Sequence, residues 1–166
     1  MDKQQQSRRA FLKASGSLAG STWFLLHSPA IFAAGKEAAK ARDSNTKFAN
    51  LTAAEALEFE AIAAQIIPTD DTPGAREAGV IYFIDQAFGS FMAGAAPSLR
   101  EGLEKFQADA RAEHPDTKRF SALAPERQIE FLESQEASPF FQTMRYLTLA
   151  GMFSLPMYGG NRGEIG

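Results

Sequence analysis

No segment of the chain alternates apolar and polar residues with period two, whereas five stretches after residue 50 repeat apolar residues at helical spacing. That contrast constrains the fold more than any other feature. The first stretch opens on a capping box, Thr52 and Glu55, with Leu51 before it. Phe59, Ile62, Ala63, Ile66 and Ile67 follow on one face, and Pro68 ends the run. Thr72 as cap and Pro73 as first helical residue predict a second helix reaching about Phe91. Val80, Ile81, Ile84, Phe88 and Phe91 form its stripe, and Gly89 and Gly94 weaken its end.

A second capping box, Ser98 and Glu101, predicts a third helix that buries Leu99, Leu103, Phe106 and Ala110 and stops near His114. Pro125 opens a fourth, with Ile129, Leu132 and Phe131 assigned inward. Ser138-Pro139 opens a fifth, with Phe140, Met144, Leu147 and Gly151 on one stripe. The expected fold is all-α, a compact bundle of about five helices after an N-terminal signal segment. The 14 Phe residues are assigned mainly to its core, with any surplus available as an apolar contact patch.

The N-terminus reads as an address. Residues 7–13, Ser-Arg-Arg-Ala-Phe-Leu-Lys, match the twin-arginine export pattern at every specified position. Targeting is assigned to Arg8, Arg9, Phe11, Leu12 and Lys13. A moderately apolar stretch follows, diluted by serines and glycines, which speaks against a transmembrane helix. Small residues at Ala33, Ala34 and Gly35 offer a signal peptidase a cut after Ala33 or after Gly35. The expected organisation is a signal over 1–34, a linker over 35–50 and a helical domain over 51–166.

Charge and composition then exclude whole classes. The chain of 166 residues carries a net charge of −3. The signal holds Lys3, Arg8, Arg9 and Lys13 against Asp2, or +3, so the remainder carries −6. An acidic domain is poorly suited to nucleic acid. There is no cysteine, and the only histidines are His27 and His114. Disulfides, thiolate metal sites, c-type haem and a cysteine nucleophile are therefore unavailable. No GxGxxG after a strand and no GxxxxGK[ST] is present. The adjacent carboxylates Asp70 and Asp71 lack the ligand spacing of a calcium loop. No catalytic, cofactor-binding or metal-binding residue is assigned. A chain without cofactor ligands that bears a signal for folded proteins most simply serves a partner's cofactor.

Two segments are specified beyond structural need. They are Ile66-Ile67-Pro68-Thr69-Asp70-Asp71-Thr72-Pro73-Gly74-Ala75-Arg76-Glu77-Ala78-Gly79-Val80 and Met157-Tyr158-Gly159-Gly160-Asn161-Arg162-Gly163. In this order, with five-helix patterning between them, they resemble the small subunit of membrane-bound gluconate 2-dehydrogenase, subunit 3, over roughly residues 50–164. Relatives usually continue past the glycine-rich tail with a Trp-containing stretch, and this sequence ends at Gly166.

The resemblance implies a non-catalytic subunit that accompanies a large FAD-dependent dehydrogenase of the glucose–methanol–choline type. The large subunit oxidises a sugar, sugar acid or glycoside, as in the related glucoside 3-dehydrogenases. Cytochrome c accepts the electrons. The small subunit acts as a chaperone-like partner whose signal takes the large one through the twin-arginine translocase as a hitch-hiker. The implied location is the periplasm, with membrane association through the complex. The expected partner interface comprises Pro68, Thr69, Asp70, Asp71, Pro73 and Gly74 in the loop and Tyr158, Gly159, Gly160 and Asn161 in the tail. Tyr158 is its aromatic anchor. The competing reading is an independent exported helical enzyme or binding protein of the periplasm.

Overall fold

A computed structural model describes residues 18–44 and 46–153, with side chains from Pro29 onward. Among these residues the architecture is all-helical, with no strand. The helices are α1 (Leu18–Asp43), α2 (Ala53–Ile66), α3 (Val80–Phe88), α4 (Ala96–Glu113), α5 (Pro125–Ser134) and α6 (Pro139–Phe153), with a 3₁₀ turn at Phe120–Ala122 before α5.

α3 is the hub. It packs against α1 on one side and against α2 and α6 on the other. Of its expected stripe, Val80 and Ile84 are inaccessible and Ile81 and Phe88 are buried; Phe83 is inaccessible beside them. α6 comes close enough to α3 that a Cβ on Gly151 would lie 3.0 Å from Val80 Cγ1 and 3.1 Å from Phe83 Cδ1. A smaller aromatic core centres on Phe106 of α4. Its ring lies 5.0 Å from Phe131, 5.1 Å from Phe120 and 5.3 Å from Phe140, in tilted or edge-on geometry. Among the phenylalanines whose side chains are described only Phe153 is exposed; Phe59, Phe83, Phe88, Phe106, Phe120, Phe131 and Phe141 are in the core, and Phe48, Phe91 and Phe140 pack against it.

Buried polar groups tie the helices together. Asp85 of α3 accepts from the backbone amides of Ala49, Asn50 and Leu51, at 3.1, 2.8 and 2.9 Å. This fixes the entry to α2. Thr52 and Glu55 form the expected capping box there. Arg100 of α4 reaches back to Glu55 and to the Asn50 carbonyl, both at 2.7 Å, and lies over the Phe88 ring. On the far side, buried Glu58 accepts from Gln107 Nε2 and from the amide and hydroxyl of Ser121. Gln128 Nε2 donates to the carbonyls of Phe120 and Leu123. These bonds pin the 3₁₀ turn between α2, α4 and α5.

Five local expectations are corrected. The residues read as a linker, 35–50, are helical through Asp43. Ala34, Gly35 and Ala38 are buried on one face, and such small side chains give little hydrophobic signal. The second helix begins at Val80 rather than at Pro73. Residues 75–79 form a separate turn that Gly79 closes at φ +72°. The same helix ends at Phe88, and Phe91 is only half-buried. Ser98 and Glu101 form no capping box, because α4 already starts at Ala96 with Pro97 in its first turn. Ile129 faces solvent at 42% exposure; Phe131 takes the inward place at 1%.

Candidate functional site

The loop between α2 and α3 is built to hold one shape. Pro68 lacks an amide, so α2 stops with the Ile67 amide bonded to the Ala63 carbonyl at 3.0 Å. The chain then turns on Asp70. Its Oδ1 accepts from the amide and hydroxyl of Thr72, both at 2.9 Å, while its own amide donates to the Thr72 carbonyl at 3.1 Å. The Ala75 amide returns to the Ile67 carbonyl at 2.9 Å and closes the neck.

Glu77 braces the loop from inside the following turn. One oxygen, Oε2, accepts from the Thr69 hydroxyl at 2.5 Å and from the Gly74 amide at 2.9 Å. The Thr69 bond, the amide bonds to Glu77 itself and to Gly74, and nearby Arg76 hold its carboxyl below the usual glutamate range against a slight opposing desolvation. Gly74 sits where the neck is tightest. A Cβ there would lie 2.5 Å from the Ile67 oxygen and 2.6 Å from the Thr69 nitrogen. Gly79 closes the turn, with the Arg42 side chain of α1 packed over it. The Arg42 Cδ lies 2.7 Å from where a Cβ would stand.

The assembled loop presents Thr69, Asp70, Asp71, Thr72 and Pro73 to solvent, keeps Pro68 half-buried, and buries Gly74, Ala75 and Ala78 beneath them. Of the expected loop interface residues, Thr69, Asp70, Asp71 and Pro73 are therefore at the surface, Pro68 is half-buried, and Gly74 serves the scaffold. The tip is short, acidic and preformed, which lowers the ordering cost of docking. No group of three or more His, Cys, Asp or Glu able to hold a metal occurs among the described residues. Tyr158, Gly159, Gly160 and Asn161 lie outside the described residues, as do Arg8, Arg9, Phe11, Leu12 and Lys13.

Sequence reasoning missed Glu77 and Arg42. The first had a usable signal: a Glu three residues after Gly74 matches the far half of a capping box. The second had none, since it depends on how α1 meets α3. Elsewhere, α4 and α6 flank an open apolar cleft of about 370 Å³ lined by Met92, Leu99, Phe106 and Phe140. Lys105 and Asp109 at its rim bond to each other at 2.6 Å, so the cleft presents a closed ion pair rather than an acid–base pair aimed inward.

Helices α2 to α6 and the loop between α2 and α3 fall within one family profile, and α1 precedes it. Residues 53–166 match gluconate 2-dehydrogenase subunit 3. The chain belongs to the gluconate 2-dehydrogenase subunit 3 family. Comparison with curated proteins and with solved structures gives no significant match. Membership makes the chain an accessory subunit of a dehydrogenase complex, and the family match begins at the first residue of α2.

Proposed function

We propose that this subunit 3 protein is the non-catalytic small subunit of a periplasmic FAD-dependent sugar, sugar-acid or glucoside dehydrogenase. It stabilises the catalytic subunit, assists its maturation and supplies the twin-arginine signal for its export. FAD resides in the large subunit, and cytochrome c receives the electrons. The family match over residues 53–166 carries the reading. The export pattern at residues 7–13 supports the targeting role, and the braced 68–79 loop supports docking.

The targeting arm is tested by changing Arg8 and Arg9 together to Lys, which replaces planar guanidinium groups by point charges. Both subunits are expected to stay in the cytoplasm. Normal periplasmic dehydrogenase activity in that variant would sink the export role. The docking arm is tested by co-purification of the large subunit with Asp70→Ala and Tyr158→Ala chains. Reduced recovery is expected for each, and unchanged recovery with both would remove loop and tail from the interface.

A further inference from the structure

We infer that the chain keeps its leader: the peptide bonds after Ala33 and Gly35 lie inside a helix built into the domain, and this packing shields them from signal peptidase. The biological meaning rests on the export reading above. The packing does not.

Both bonds fall in the second half of α1, which runs unbroken from Leu18 to Asp43. Ile31 is 1% exposed, Ala34 4% and Ala38 0%, and Gly35 is buried with them. Positions 31, 34, 35 and 38 make one helical face, and α1 packs chiefly on α3. Arg42, one turn further, lies over Gly79, a position with no room for a Cβ. The face uses small residues, so the two helices approach closely and Ile31 enters the main core cluster.

A peptidase must draw several residues on each side of the cut into extended form. Proteases act on exposed, locally open backbone and cut slowly where opening is rare. Opening α1 here breaks consecutive helical hydrogen bonds and pulls Ile31 and Ala34 out of the core. The twin-arginine pathway moves proteins that are already folded. The helix is thus docked before the peptidase meets it. A leader handled this way is a permanent first helix rather than a disposable one.

Two measurements on the full chain test this. The first is protease digestion of the purified protein with elastase, which cuts after small residues, followed by mass analysis. Cutting after Ala33 and Gly35 is expected to be at least about tenfold slower in the parent than in Ala38→Asp, where a charge replaces a fully buried methyl. Rapid cutting of the parent at either bond overturns the packing argument, whatever the variant does. The second is the intact mass of the chain recovered from periplasm and membranes of a twin-arginine-competent cell. A mass that includes residues 31–35 supports retention. An exported chain starting at Ala34 or Lys36 overturns it. A chain found only in the cytoplasm refutes the export reading instead, and the elastase result still decides the shielding.

Discussion

Asn50 donates twice to Asp85: its amide to Asp85 Oδ1 at 2.8 Å, and its Nδ2 to the Asp85 carbonyl at 2.9 Å. With the Ala49 and Leu51 amides added, one carboxylate at 1% exposure serves three consecutive backbone donors. Removing it orphans the buried Leu51 amide and the part-buried amides of Ala49 and Asn50, and the buried one is the costliest. Asp85→Ala is expected to destabilise the domain by about 3 kcal/mol and Asp85→Asn by about half as much. Urea unfolding followed by circular dichroism gives the difference directly.

Gly74→Ala is expected to spoil the loop without touching its exposed tip. The added Cβ meets backbone atoms of residues 67–69, which cannot swing aside as a side chain can. A loss of about 2 kcal/mol follows from such strain. Asp71→Ala alters the tip but not the neck, and its thermal midpoint is expected to match that of the parent. If the two variants melt alike, the neck is not the constraint described.

Acid is expected to loosen the loop and the α2 cap together. Glu77 sits below its ordinary value for the reasons given above. At Glu55, partial burial pushes the carboxyl up, but the Thr52 amide and hydroxyl and the Arg100 guanidinium outweigh it, so the net shift is downward from 4.5. A depressed folded value means stabilisation that is complete above the unfolded value near 4.5 and fades as pH falls through the lower folded value. Melting temperature against pH is expected to fall below pH 4.5, with Glu55→Gln and Glu77→Gln flattening the slope. An unchanged slope in the double variant would overturn this.

At the alkaline end Tyr146 acts in the opposite sense. Burial pushes its hydroxyl up to about 12 from 10.0. Its contribution is complete below pH 10 and is lost as pH rises through the folded value. Ultraviolet titration of the folded protein is expected to show one tyrosine ionising late, and Tyr146→Phe is expected to delete that step.

Long apolar stripes were legible in the sequence because burial and periodicity coincide there. Phe59 and Ile62 in α2 and Leu99 to Ala110 in α4 occupy the core as their spacing predicts. The rest failed for physical reasons. Ala34, Gly35 and Ala38 bury through closeness rather than hydrophobic mass, so the end of α1 from residue 35 reads as a linker in the sequence. Thr72 and Pro73 carry helix-start signals that are used up in a turn: Thr72 bonds Asp70, and Gly79 resets the chain before Val80. At the site the loop was found from its residues, yet its bracing by Glu77 and Arg42 needed coordinates. Ile129, Phe131 and Leu132 cannot all face inward from one short helix; Phe131 joins the Phe106 cluster, Leu132 is buried beside it, and Ile129 is left to solvent.

The hub role of α3 has a genetic consequence. Nine residues are the shared neighbour of α1, which follows the twin-arginine-like sequence, and of α6, which precedes Tyr158 in the chain. On the proposed function, one lesion there, at Val80 or Phe83, would present as two unrelated defects, in delivery and in assembly. Second-site suppressors of a tail mutation would then be found more than a hundred residues upstream, in α1.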